Sequence, residues 1–288
     1  MRDRIPAAFA SARARVRLAQ RGSATVSQLL EGRDDLDERT VRALAEINRA
    51  FYRDASAEFG ATREAPWAGW ERLLPRIEAL RAADDFTVLD VGCGNGRFAA
   101  FLDARGAACR YLGVDASAPL IEDARARRLA CVDARFETRD FLPPADLAAL
   151  PPGPFGLITL FGVLHHVPGA AQRRALLARL GTALRPGGLL ALTAWQFAAF
   201  RRFRARVQPW DEYNRGAAEP VDEGQLDRGD HLLRWGDGDP PRVRYCHFAD
   251  DSELDGLLEA LPLTCEDRYA ADGRGGKLNR YLVLRATP

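Results

Sequence analysis

The chain has 288 residues, 47% hydrophobic and 28% charged, which is globular usage and excludes a disordered or fibrous protein. Forty-one Lys+Arg against 40 Asp+Glu leave a net charge of +1, so no bulk basic field drives nonspecific nucleic-acid binding. No apolar run approaches the ~18–20 residues that span a bilayer, so no membrane partner is expected.

Residues 1–35 form a basic leader and then a Gly/Ser/Asp-rich stretch. Six arginines and one acid in the first 21 residues suit a frayed basic helix, and the composition overlaps with an organellar transit peptide. Residues 36–84 form an N-terminal helical segment. Val41, Leu44, Ile47, Phe51 and Tyr52 recur at helical spacing, and a second helix is predicted from about Trp67 to Ala82. From 85 to 288 a single α/β domain is predicted, with a cap insertion at about 196–250. Its strands are Phe86–Val91, Tyr111–Asp115, Cys131–Phe136, Phe155–Leu160 and Leu189–Trp195, with helices between them. The helix marked by Leu176, Leu177, Leu180 and Leu184 is expected to stop at Pro186-Gly187-Gly188. Such alternation implies a doubly wound, mostly parallel sheet covered on both faces. Within the insertion Val243–Phe248 is a predicted strand, and Ser252–Ala260 a predicted helix follows it. Leu263–Tyr269 and Asn279–Leu284 form a closing antiparallel hairpin.

Five scattered cysteines without C-x-x-C spacing argue against a disulfide framework and a structural zinc site. Buried thiols in a reducing cytoplasm are the expectation, with no metal ligand set.

The densest chemical signal follows the first strand. Asp90-Val91-Gly92-Cys93-Gly94-Asn95-Gly96 leads from strand to helix, where glycines permit positive φ and close approach of the backbone to a ligand. A dinucleotide fingerprint wants glycine at 97, where this chain has Arg97. Two-by-two spacing of Gly92, Gly94 and Gly96 after Asp90 suits a ligand with an amino-acid end, and S-adenosylmethionine is the candidate. Asp90 is placed to hold its ammonium end, directly or through water. Asp115 ends the next strand, where an acid accepts both ribose hydroxyls. Asp140 can accept from an adenine amino group and Phe141 can pack on the ring.

Val88–Gly96, Asp115, Phe155-Gly156-Leu157-Ile158 with Leu164-His165-His166-Val167, and Leu184-Arg185-Pro186-Gly187-Gly188 together resemble a class I S-adenosylmethionine-dependent methyltransferase. The resemblance spans about Asp85 to Trp195 and implies a seven-stranded Rossmann-like sheet. It departs at Gly156, where the family often has an acid. The flanks resemble the tRNA methyltransferases that esterify a carboxymethyl group on wobble uridine. Phe51-Tyr52, Thr62-Arg63, Pro66-Trp67, Arg244-Tyr245-Cys246-His247-Phe248, and Asn279 with Tyr281 carry that likeness. Cys246 stands where this subfamily commonly has a second tyrosine, and Arg280 where it often has tryptophan. The subfamily resemblance implies a tRNA acceptor and a small activating partner subunit.

An acceptor carboxylate needs no general base, because its reference pKa of about 4 leaves it ionised near neutrality. It needs a positive clamp, which Arg244 can provide in bidentate form. Arg63 can pair with the cofactor carboxylate. If the acceptor is a hydroxyl or amine, His166 can serve as base. Trp195, Trp210, Tyr245 and His247 can stack a flipped base or pack as core. Four arginines at 201–206 can grip RNA phosphates or pair internally with the acidic stretch 211–240. Two rivals remain open: a small-molecule O- or N-methyltransferase, and a non-catalytic partner-binding protein of the same fold.

Overall fold

The structure, a computed structural model, describes residues 36–61, 65–82, 85–142, 147–236, 238 and 242–287. The basic leader and Arg63 lie outside the described residues.

α1 (Glu38–Ala61) comes first, then a 3-10 stretch Ala68–Leu73 and α2 (Leu74–Arg81). The helix predicted over 67–82 is thus split, with Pro75 in the first turn of α2, where its missing N–H costs no intrahelical bond. Then follow β1 (Thr87–Val91), α3 (Arg97–Ala104), β2 (Cys109–Asp115), α4 (Ala118–Arg125), β3 (Val132–Thr138), β4 (Phe155–Leu160), α5 (Ala170–Thr182) and β5 (Leu184–Trp195). The cap contributes α6 (Arg201–Arg204), β6 (Val207–Gln208), α7 (Trp210–Asn214), β7 (Asp230–Trp235) and β8 (Arg242–His247). α8 (Asp251–Glu259), β9 (Leu263–Ala271) and β10 (Asn279–Ala286) close the chain.

The main sheet has seven strands in the order β3-β2-β1-β4-β5-β10-β9. Its first five strands are parallel, and β10 runs antiparallel to both β5 and β9. This is the seven-stranded Rossmann-like fold expected from the sequence. Strand alternation divides the core between the two faces. Val88 packs with Trp70, Phe98 and Tyr281 on one side, while Leu89 and Val91 pack with Leu176, Leu180 and Leu254 on the other. Strand order reverses between β1 and β4, and ligands of such sheets bind at the carboxyl ends beside that switch point.

Two local expectations change. α5 ends at Thr182 and β5 already begins at Leu184, so Pro186-Gly187-Gly188 lies inside the strand rather than ending a helix. A register shift between Phe155 and Leu157 absorbs the irregularity. The cap holds a three-stranded antiparallel sheet, β6-β7-β8, where the sequence pointed to one strand. β7 hides inside an acidic stretch because Asp230, its first residue, is buried like a core side chain. Val41, Leu44 and Ile47 of α1 pack on Leu232 and Tyr245, joining the N-terminal helix to the cap.

Candidate cofactor and acceptor site

A cavity of about 430 Å³ opens where the carboxyl ends of β1, β2 and β4 meet α1. The glycine turn forms one wall. Gly92, Gly94 and Gly96 have φ of 75°, 53° and 75°, the left-handed region that favours glycine. Their reasons differ. A Cβ on Gly92 would lie 2.2 Å from Val163 Cγ2, so the protein itself forbids a side chain there. A Cβ on Gly94 would meet nothing within 4 Å, and Gly94 lines the cavity, so the space it leaves is space for a ligand.

Asp115 ends β2 and lines the same cavity. Its carboxylate accepts from Gly94 N at 2.9 Å and from Ser117 N at 2.8 Å, which ties the glycine turn to the start of α4. Burial raises its pKa, with the backbone N–H groups of Ser117 and Gly94 opposing that rise. Phe141 is buried at the cavity wall beside Asp140. Asp140 accepts from Arg49 Nε at 2.7 Å and from Leu142 N at 3.0 Å.

Asp90 departs from expectation. Period two puts it on the Val88 face of β1, 2% exposed and away from the cavity lining. Thr159 Oγ1 donates to it at 2.6 Å and the Tyr111 hydroxyl donates to its other oxygen. Burial pushes its pKa up to about 6 against those two hydrogen bonds. Asp90 therefore braces the strand beneath the turn, and direct contact with a ligand is not what this geometry offers.

The opposite part of the lining comes from α1. Asn48 and Tyr52, and Arg49 and Arg53, are each spaced by four residues, so all four share one helical side. In the sequence the two arginines carry no signal, and Tyr52 falls in the apolar stripe of the helix. Tyr52 Oη lies 2.8 Å from His166 Nε2, and His166 Nδ1 lies 3.1 Å from the Tyr245 carbonyl oxygen. His166 thus stands on the cavity wall just after β4. Arg97, the residue that breaks the dinucleotide pattern, also lines the cavity and lies 5.5 Å from the centre of the Trp67 ring.

The cap motif divides. Arg244 is 6% exposed, with its guanidinium 5.0 Å from the Trp195 ring centre and 5.5 Å from that of Phe51, behind the cavity lining rather than on it. Tyr245 is fully buried and donates its hydroxyl to Asp230 at 2.7 Å, so its side chain faces away from the cavity. His247 lies between carboxylates, Nδ1 at 2.7 Å from Asp230 and Nε2 at 2.8 Å from Glu253. A neutral imidazole donates only once, so this geometry calls for the imidazolium. Burial pushes the His247 pKa down, but the bonds to Asp230 and Glu253 outweigh it and the net shift is upward. Asp227, Asp230 and His247 bring their donor atoms within 4.8 Å of one another, as do His165, His166 and Cys246. Both ring nitrogens of His247 and of His166 already face hydrogen-bond partners, which suits neither group to an ion.

Gly94, Asp115 and the buried ring of Phe141 fit S-adenosylmethionine: a turn open to a ligand, an acceptor for ribose hydroxyls and an apolar wall for adenine.

Comparison with known proteins agrees. A family described as a methyltransferase domain matches residues 89–190. A tRNA (carboxymethyluridine(34)-5-O)-methyltransferase of Arabidopsis thaliana is 28% identical over 54% of this chain and 35% of its own, so the match spans about a third of that relative. An uncharacterized methyltransferase of Mycobacterium tuberculosis is 30% identical over 51% of this chain and 70% of its own. Among solved structures, the 1,6-didemethyltoxoflavin-N1-methyltransferase of Burkholderia thailandensis, with its substrate and S-adenosylhomocysteine bound, aligns at a TM-score of 0.54. That structure is 21% identical and covers 86% of this chain and 91% of its own, a likeness of fold.

Proposed function

This chain belongs to the S-adenosylmethionine-dependent methyltransferases, and we propose that it methylates a carboxylate oxygen, the leading acceptor being a carboxymethyl group on a tRNA wobble uridine. The observation that carries this reading is the pair Arg49 and Arg53 on the wall that shares its cavity with Gly94 and Asp115, where Arg49 is held by Asp140 and Arg53 by the exposed Glu46. The name of the plant relative points the same way.

Bound S-adenosylmethionine supplies an electrophilic sulfonium methyl. In this reading Asp115 takes the ribose hydroxyls, Phe141 packs the adenine with Asp140 at its edge, and Arg97 pairs with the cofactor carboxylate. Arg53, exchanging Glu46 for the acceptor, steers and holds its anion, while Arg49 stays paired with Asp140 at the adenine end. Arg244, stacked behind Phe51, keeps α1 and its two arginines in place against the cap. An acceptor that is already ionised needs alignment and exclusion of water more than proton transfer.

A second reading has its own observation. The Tyr52–His166 pair sits on the cavity wall and offers a base for a hydroxyl or amine of a small molecule. The test is incubation with methyl-labelled S-adenosylmethionine and either tRNA whose esters have been removed by mild alkali or a metabolite extract. The carboxylate reading expects label in tRNA that mild alkali releases as methanol. Alkali-stable label supports the second reading and ends the first, while alkali-labile label in metabolites alone keeps a carboxylate acceptor and ends the tRNA one.

A further inference from the structure

Arg201, Arg202, Arg204 and Arg206 stand within six residues, on α6 and just after it, and all four are exposed. Arg204 is engaged internally, donating to Ala198 O at 2.8 Å. Arg201, Arg202 and Arg206 have no carboxylate partner among the described residues. Three acids of the stretch that follows pair elsewhere: Asp211 with Arg215 at 2.9 Å, Glu212 with Arg234 at 2.8 Å, and Asp227 with Arg173 at 3.0 Å. Among the described residues, Arg201, Arg202 and Arg206 are thus not neutralised by the acidic stretch.

The patch is connected to the cavity. The Arg202 guanidinium lies 4.6 Å from the Phe203 ring centre, and Phe203 meets Trp195 edge-on at 4.9 Å. Trp195 lies 5.1 Å from the His165 ring, and His165 lies 4.1 Å from His166 on the cavity wall. A short run of rings therefore separates the arginines from the acceptor end of the site.

We propose that Arg201, Arg202 and Arg206 form a docking surface for the phosphate backbone of an RNA whose target nucleotide enters the cavity. This rests on the RNA-acceptor reading above. The guanidinium fork matches phosphate in bidentate fashion. With a net charge of only +1 over the whole chain, attraction for a polyanion must come from local clusters such as this one. Phe200 and Phe203 are half-buried, so the patch presents no free apolar wedge for a bilayer.

The test is the triple variant R201Q/R202Q/R206Q, which leaves Arg204 and its bond to Ala198 intact. Binding of end-labelled bulk tRNA is followed by anisotropy between 50 and 200 mM KCl. Each phosphate contact contributes roughly 0.7–0.9 to the slope of log affinity against log salt, so the variant should lose about 2–3 from the slope. Affinity for S-adenosylmethionine should not change. Equal slopes for wild type and variant overturn the proposal. So does a wild type that ignores tRNA at 50 mM KCl, or one that instead binds vesicles rich in phosphatidylglycerol. A normal slope loss with no methyl ester formed on tRNA keeps the docking surface and removes the acceptor reading.

Discussion

Tyr52 Oη and His166 Nε2 lie 2.8 Å apart, with the direction of the proton set from behind by the Tyr245 carbonyl, 3.1 Å from His166 Nδ1. A carbonyl only accepts, so Nδ1 carries the hydrogen, and Nε2 of the neutral ring accepts from the Tyr52 hydroxyl. The arrangement joins α1, the turn after β4 and cap strand β8 at one point on the cavity wall. Nitrogen-15 NMR at pH 8 should find His166 as the Nδ1–H tautomer. An Nε2–H resonance for His166 would show that the two hydrogen bonds do not coexist in solution.

Asp115→Asn tests cofactor binding with little change of shape. The amide oxygen can still accept from one of the two N–H groups that Asp115 now holds, those of Gly94 and Ser117. The charge that would receive the ribose hydroxyls is gone. Loss of a charge-assisted bond costs about 1.5–3 kcal/mol, so affinity for S-adenosylmethionine should fall roughly ten- to a hundred-fold. Calorimetric titration decides, and undiminished affinity removes Asp115 from the site.

The glycines at 94 and 92 should respond differently to alanine. At Gly94 the methyl enters open cavity, and the left-handed backbone costs about 1–2 kcal/mol. Binding should be largely lost while the melting temperature drops by only several degrees. At Gly92 the methyl collides with Val163, so stability itself should suffer and the melting temperature should fall further. Thermal melts of both variants, with and without S-adenosylmethionine, separate the two. A Gly94→Ala protein still stabilised by cofactor as wild type is would mean that the turn does not underlie the ligand.

What the sequence could reveal followed from how local each requirement is. Gly92, Gly94 and Gly96 were legible because positive φ leaves few alternatives, and Asp115 because a strand end at the switch point is a fixed place. Tyr245 and His247 misled, because their partner Asp230 belongs to β7, a strand with no apolar alternation to announce it. Asn279 and Tyr281, read as marks of a subfamily, both donate to Asp272 at 2.7 Å and fasten the C-terminal hairpin. Arg49, Tyr52 and Arg53 carried no signal of their own. Their role depends on where α1 crosses the strand ends, which is a tertiary fact.

His247 makes stability depend on pH. Its folded pKa is raised above the ordinary 6.5, so its contribution is complete below about pH 6.5 and is lost as pH rises through the folded value. Arg173, Asp227, Asp230, Glu253 and the Tyr245 hydroxyl share this network between the cap, α5 and α8. The melting temperature should decline on the alkaline side, and His247→Gln should start lower and lose that part of the decline. Arg173 is 1% exposed between the half-buried Asp227 and Glu253, so Arg173→Met removes the charge that joins them and should lower the melting temperature at every pH. Parallel melting curves for wild type and His247→Gln from pH 6 to 9 would show that the ring is not charged in the fold.

The acceptor class is decided by setting the α1 arginines against the histidine. For a carboxylate acceptor, Arg53→Gln removes a cation from the cavity wall and should raise KM several-fold with little change in affinity for S-adenosylmethionine. Arg244→Lys keeps the charge but loses the broad guanidinium that lies near the Phe51 and Trp195 rings, and should lower activity by loosening α1. His166→Ala and Tyr52→Phe should then be mild, about two- to ten-fold, the scale of one positioning hydrogen bond. The single-turnover rate should stay nearly flat from pH 6 to 9, because the nucleophile is ionised throughout. For a hydroxyl or amine acceptor the order reverses. His166→Ala would lose the ~10²–10⁴-fold typical of general base catalysis. Single-turnover methyl transfer by each variant reads both patterns in one experiment. A dominant His166 effect with an indifferent Arg53 ends the carboxylate reading, and with it the case for wobble uridine.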